Sequence, residues 1–161
     1  MTEDIYSKNG FESAVGSLMG LLFSVSYSIL ADRERCLDAV QNALTNAWEK
    51  RFSLRKPDKF KSWLVRIVIN ETRHIRKQKQ ALPLPDGSSM ASHGEPEITL
   101  DIQNAVLSLE ERYRLPVVLF YFEGWSVQEI GEALGLPKGT VVSRLSRARE
   151  MLRKELKAYD V

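Results

Sequence analysis

The chain has 161 residues, 43% of them hydrophobic and 27% charged, and a formal net charge of only +2. That length holds one domain or two small ones, with enough apolar residues for a core. Cys36 is the only cysteine, which excludes an internal disulfide and a cysteine-based zinc site and leaves it a small core or surface residue.

No uninterrupted apolar run reaches the roughly 18 residues of a membrane helix. Leu18 to Leu30 is apolar but short and carries serines. Met-Thr-Glu-Asp lacks the basic start of a signal peptide, so the protein is expected to be cytoplasmic, with no membrane insertion. The charge is uneven. Lys50 to Gln80 is strongly basic, opposed only by Asp58 and Glu71. Pro137 to Lys157 is basic again, and the stretch between them is acidic. Two basic blocks fit two contacts with a polyanion, although a charge run also serves as a solvated helix face.

Phe11, Val15, Leu18, Leu22, Val25 and Ile29 step by three and four, which predicts a long helix with one apolar face. Asp32 is placed to cap the next helix. Leu37, Val40, Leu44, Ala47 and Trp48 form its predicted buried stripe, with Asp38, Gln41, Asn42 and Thr45 on a different face. Phe52 to Lys59 reads as a basic loop. A third helix follows, with Phe60, Trp63, Leu64, Ile67 and Val68 inward and Arg66, Asn70, Arg73 and Lys77 outward.

Ala81 to Glu97 holds prolines, glycines and adjacent serines without apolar periodicity, and reads as a flexible linker. Ile98 to Leu109 reads as a short helix. Leu115 to Phe122 is β-like in composition, and a strand is the alternative. The preferred reading is a buried helix. Pro116 suits a first helical turn, and the spacing of Leu115, Leu119 and Phe122 points a side chain into the motif beyond Glu123.

That motif, from Trp125 to Leu156, carries the strongest local signals. Ser126 can cap a helix with Glu129 as its capping-box partner, and Ile130, Ala133 and Leu134 supply an apolar stripe. Gly135 can end that helix in the left-handed conformation, and Pro137 is tolerated at the start of the next. The second helix sets Val141, Leu145, Ala148 and Leu152 on one face and Lys138, Ser143, Arg144, Arg147 and Arg153 on the others. Two short helices, a glycine turn and a basic second helix describe a helix-turn-helix, whose second helix enters a major groove.

Asp38-Ala-Val-Gln41-Asn-Ala-Leu44-Thr-Asn-Ala-Trp48 resembles the core-polymerase-binding helix of bacterial sigma factors, and Trp63-Leu-Val-Arg66-Ile67-Val-Ile-Asn70 resembles their promoter-melting helix. With Glu123-Gly-Trp-Ser-Val-Gln-Glu-Ile-Gly and Gly139-Thr-Val-Val-Ser-Arg-Leu-Ser-Arg-Ala-Arg149, the chain from Phe11 to Leu156 resembles a small extracytoplasmic-function sigma factor of the sigma-70 family.

The resemblance implies an all-α protein. Residues 1–80 would be a helical bundle binding core polymerase and the −10 element, 81–97 a linker, and 98–161 a helix-turn-helix domain binding the −35 element. Asp38, Gln41, Asn42 and Thr45 would face the polymerase, where a carboxylate can pair an arginine. Asn70 matches a position that helps hold a flipped −10 base, and the Phe52 to Phe60 segment matches the loop shaping its pocket. Phe52, Lys59, Arg66, Arg73, Arg76 and Lys77 would line the strand, while Phe60 and Trp63 are read as core. Lys138, Thr140, Val142, Ser143, Arg144, Ser146 and Arg147 would reach base edges or phosphates of the −35 element.

Two positions depart from the family. Val142 stands where lysine or arginine is usual, and valine cannot donate a hydrogen bond. Gly131 stands where alanine is usual, at a helix-propensity cost of up to about 1 kcal/mol. The implied partners are core RNA polymerase (β′ and β subunits), promoter DNA and an anti-sigma factor. No cofactor, metal or catalytic group is expected, and His74 and His93 do not pair in pattern. The alternative is a free-standing helix-turn-helix transcription regulator. The N-terminal half argues against it, resembling neither a receiver domain nor a ligand pocket.

Overall fold

The computed structural model describes residues 4–79 and 97–157. The predicted linker falls outside them except for residue 97, as does His93. Every regular element among the described residues is helical, as an all-α fold requires. They form two compact units, one on either side of that undescribed segment.

The first unit packs three long helices against one another: α1 (Lys8–Leu30), α2 (Arg33–Glu49) and α3 (Phe60–Lys79). Ser7 caps α1, its hydroxyl accepting from the Gly10 amide at 3.1 Å. Asp32 caps α2 as predicted, accepting from the Arg35 amide at 3.2 Å. Along α1 the predicted stripe is buried except Leu18, which is half-buried, and Leu21 and Leu30 join it. One expectation fails here. By length and composition α1 could cross a membrane, because its small residues lower the hydropathy too little to disqualify it. In this fold it is a core helix packed on α2 and α3.

The face α2 buries differs from the predicted one. Cys36, Ala39, Val40, Ala43 and Ala47 are inside, Leu44 and Trp48 are half-buried, and Leu37 is 47% exposed. The three helices approach closely, and small side chains let them. A stripe chosen by side-chain size therefore lands one residue off the true seam. The same rotation occurs in α3. Phe60, Leu64 and Val68 are buried with Val65, Ile69, Thr72 and Ile75, whereas Trp63 and Ile67, expected inside, are half-buried. Thr72 Oγ1 lies 2.6 Å from the Val68 carbonyl oxygen and 3.2 Å from the Ser26 hydroxyl, so this buried polar pair is satisfied.

In the second unit α7 (Lys138–Lys157) packs on α4 (Glu97–Ser108), α5 (Glu111–Val117) and α6 (Val127–Leu134). The segment Leu115 to Phe122 is helical, not a strand, but two details differ from expectation. The helix begins earlier, at Glu111, so Pro116 lies inside it rather than in its first turn. A proline there has no amide for the usual bond. The helix then widens into a π-type turn, Val118–Phe122, closed by the Glu123 amide on the Val118 carbonyl at 3.1 Å. The extra residue per turn rotates Phe122 outward, to 53% exposure. Leu115 and Leu119 stay buried, and Trp125 takes the inward place expected of Phe122.

The helix-turn-helix forms as its local signals require. Ser126 and Glu129 make the reciprocal capping box, and Gly135 ends α6 at φ 68°. The Leu136 amide then bonds the Gly131 carbonyl at 2.9 Å. Ile130, Ala133, Val141, Leu145 and Ala148 are buried, and Leu152 is half-buried. Pro137 sits just ahead of α7, its carbonyl accepting from the amides of Thr140 and Val141.

Candidate polymerase and nucleic-acid interfaces

Asp38, Gln41, Asn42 and Thr45 are all exposed on α2, as the sequence reading expects. Thr45 turns its hydroxyl back onto the Gln41 carbonyl at 3.1 Å. Leu37 borders this polar face, so an apolar contact lies beside the carboxylate. Sequence reasoning missed it by placing Leu37 in the core. Near the far end of the face, Leu44 and Trp48 line a hollow of about 560 Å³ with Phe11 and Val15 of α1.

The connection from α2 to α3 consists of two tight turns, Arg51–Ser53 and Pro57–Lys59. Phe52 is 70% exposed in the first, Leu54 is buried after it, and Lys59 is half-buried. On α3, Arg66, Asn70, Arg73 and Lys77 step by four, three and four and are exposed, while Arg76 is half-buried beside them. Trp63, one turn before Arg66, shares that outward face and leans on Phe60 at 5.9 Å between ring centroids. An amide, a half-exposed indole and a row of cations suit a nucleic-acid strand better than a solvated face alone would need. His74 lies on the same helix, 3.1 Å from Gln78 through Nε2.

On α7, Lys138, Ser143, Ser146 and Arg147 are exposed, Val142 is 48% exposed, and Thr140 and Arg144 are half-buried. They lie away from the buried Val141, Leu145 and Ala148. A hollow of about 280 Å³ opens at the start of α7. Thr140, Ser143, Arg144 and Arg147 line it from α7, and Arg112 and Tyr113 from α5. Arg112 stacks 4.8 Å above the Tyr113 ring and pairs with Glu110 at 3.0 Å. Three guanidinium groups and three hydroxyls thus line a hollow beside the start of α7, where the Lys138 and Gly139 amides precede the first helical hydrogen bond. Such a hollow favours an anion. Nothing local in the sequence marks Arg112, because only the packing of α5 on α7 brings it there. No group of three or more metal-ligating side chains occurs among the described residues.

A three-helix unit with a basic outward face, and a second unit built on a helix-turn-helix, define the class of the sigma-70 promoter-specificity factors. Residues 14–81 match Sigma-70 region 2, and residues 99–152 match Sigma-70, region 4. The chain is 31% identical to the ECF RNA polymerase sigma factor SigW of Bacillus subtilis, over 93% of this chain and 92% of that one. It is 28% identical to the RNA polymerase sigma factor SigV of the same organism, over 86% of each chain. Among solved structures it resembles the sigma factor RpoE of Bartonella quintana, crystallised with the anti-sigma factor NepR, at 26% identity and a TM-score of 0.76. That likeness covers 91% of this chain and 96% of the other. The chain belongs to the extracytoplasmic-function sigma factors of the sigma-70 family. It is an alternative RNA polymerase sigma factor directing transcription initiation.

Proposed function

We propose that residues 1–80 bind core polymerase and the −10 element and residues 98–161 bind the −35 element, the two joined by a linker over 81–97. In this reading Asp38, Gln41, Asn42 and Thr45, with Leu37 at their edge, form the polymerase-facing surface. Asn70 helps hold an unpaired −10 base, the loop from Phe52 to Lys59 walls its pocket, and Arg66, Arg73, Arg76 and Lys77 follow the strand's phosphates. Lys138, Thr140, Val142, Ser143, Arg144, Ser146 and Arg147 face the −35 duplex, and Arg112 adds a phosphate contact from outside the helix-turn-helix. The factor works in the cytoplasm, needs no cofactor or metal, and leaves catalysis to the polymerase. An anti-sigma partner is part of the proposal, because the similar RpoE was crystallised with one.

The observation that carries the reading is the outward row Arg66, Asn70, Arg73 and Lys77 on a helix that buries Leu64, Val65, Val68, Ile69, Thr72 and Ile75 on its other sides. A free-standing regulator would not need that row in addition to a helix-turn-helix. The test is reconstitution with purified core polymerase. Co-elution and initiation from a duplex selected by the holoenzyme are expected. Duplex binding without polymerase association would establish the regulator instead.

A further inference from the structure

The turn after α2 is held by residues from the far end of the unit. Tyr6 donates its hydroxyl to the Leu54 carbonyl oxygen at 2.6 Å, and Arg51 Nε donates to the Tyr6 carbonyl oxygen at 2.9 Å. Arg51 also donates through Nη1 to the Trp48 carbonyl at 2.7 Å. Its guanidinium lies 3.6 Å from the centre of the Trp48 ring and 4.3 Å from that of Phe52. The Phe52 ring is parallel to Tyr6 within 6°, at 5.9 Å between centroids. Two crossed hydrogen bonds and a run of stacked groups therefore fix residues 51–54 to the segment before α1.

That segment is itself fixed. The Asp4 carbonyl accepts from the amide and the hydroxyl of Ser7, and Asp4 Oδ1 accepts from the Tyr6 amide. The Asp4 backbone crosses Gly10 so closely that a β-carbon there would collide with the Asp4 carbonyl. Alanine is the better helix former, yet at this position it would expel the strap. Core packing does not account for the arrangement, since Phe52 is largely exposed. The side chains act on the course of the loop.

We propose that Tyr6 is a positioning residue for promoter melting: the segment Asp4 to Ser7 straps the loop from Arg51 to Lys59 into the shape that accepts an unpaired base. The proposal rests on the reading of that loop as a wall of the −10 pocket. Tyr6→Phe keeps the ring stack and removes one hydrogen bond to the loop. Gly10→Ala leaves Tyr6 intact and displaces its segment.

The experiment binds reconstituted holoenzyme to a randomised single-stranded oligonucleotide pool, with wild type, Tyr6→Phe, Gly10→Ala and Asn70→Ala compared. Core affinity and thermal midpoint are measured alongside. Both strap variants are expected to lose about three- to tenfold in base discrimination, the factor one net hydrogen bond is worth, while core affinity stays at the wild-type value and Tyr6→Phe remains folded with a thermal midpoint lowered by no more than that one bond. Wild-type discrimination in both strap variants, with discrimination lost in Asn70→Ala, overturns the strap and leaves the pocket standing. Wild-type discrimination in Asn70→Ala, or no selection by wild type, overturns the pocket and the strap with it.

Discussion

The carbonyl oxygen of Leu136 stands 2.7 Å from the point where a β-carbon on Gly131 would lie. Glycine lets the chain fold back there, and the Leu136 amide closes the turn on the Gly131 carbonyl. Propensity alone makes Gly131→Ala stabilising by up to about 1 kcal/mol in a helix interior. The contact reverses that sign, since backbone must move to relieve it. Gly131→Ala in the full chain should therefore unfold its helix-turn-helix at lower denaturant, by about 1–2 kcal/mol, a typical cost for an overpacked site. A chemical-denaturation series in a chain with Trp48 and Trp63 replaced by Phe, so that fluorescence reports Trp125, measures it, and a rise in stability would refute the argument.

The proposed polymerase-facing surface is tested by separating its charge from its apolar edge. Asp38→Ala together with Gln41→Ala should weaken core binding by about 1–3 kcal/mol, because a charge-assisted contact goes. Leu37→Ala should weaken it further while barely changing the factor's own stability, since half of that side chain is already in water. Competition binding against core polymerase, with circular dichroism to follow helicity, is the measurement. Unchanged affinity with unchanged helicity in both variants would remove this face from the interface.

Cys36 lies in a cluster with Leu30, Ala39 and Ile75. Burial pushes its thiol above the ordinary 9.0, more than its hydrogen bond with Ser26 lowers it. Tyr27, packed against that cluster, is raised above its ordinary 10.0, again first by burial. The folded state thus keeps these protons to higher pH than the unfolded state does. Their contribution to stability is complete below the unfolded values and is lost as pH rises through the folded ones. Urea midpoints should stay level from about pH 7 to 8 and fall above about pH 9, less steeply in Cys36→Ala. Equal slopes in the two proteins would show that this thiol does not contribute.

The helix-turn-helix was legible residue by residue because its signals are local. A capping box needs Ser126 and Glu129, and a left-handed helix end needs Gly135. The buried face of α2 was not, because hydrophobicity ranks Leu37 above Cys36, Ala39 and Ala43, whereas close helix packing selects the small ones. Pro116 was misplaced because the polar start of α5, Glu111 to Arg114, carries no apolar stripe. Arg112 and Tyr6 were invisible for a different reason. One depends on α5 meeting α7, the other on a hydrogen bond between Tyr6 and Leu54, and no window of sequence contains either.

The proposed −35 contacts would divide into positions that grip the backbone and positions that read bases, and salt would separate them. Lys138 is the first residue of α7, and Arg112 lines the hollow beside that helix start, where cationic groups favour a phosphate. Arg112→Gln and Lys138→Ala should each weaken binding to every duplex alike and reduce the salt slope by about one phosphate contact. Arg144 is half-buried, lines the same hollow, and lies nearer the helix start than Arg147. It is therefore the favoured reader of a guanine edge, and Arg144→Ala should cost about 1–3 kcal/mol, mainly on the preferred sequence. Val142 presents an exposed apolar side chain on the same helix, able to touch a thymine methyl but not to donate. Val142→Lys should shift the base preferred at one position of the element. A binding selection over randomised duplexes, repeated at two salt concentrations, reads all four variants. If every variant selects the wild-type sequence with wild-type discrimination and slope, α7 does not read DNA in this way.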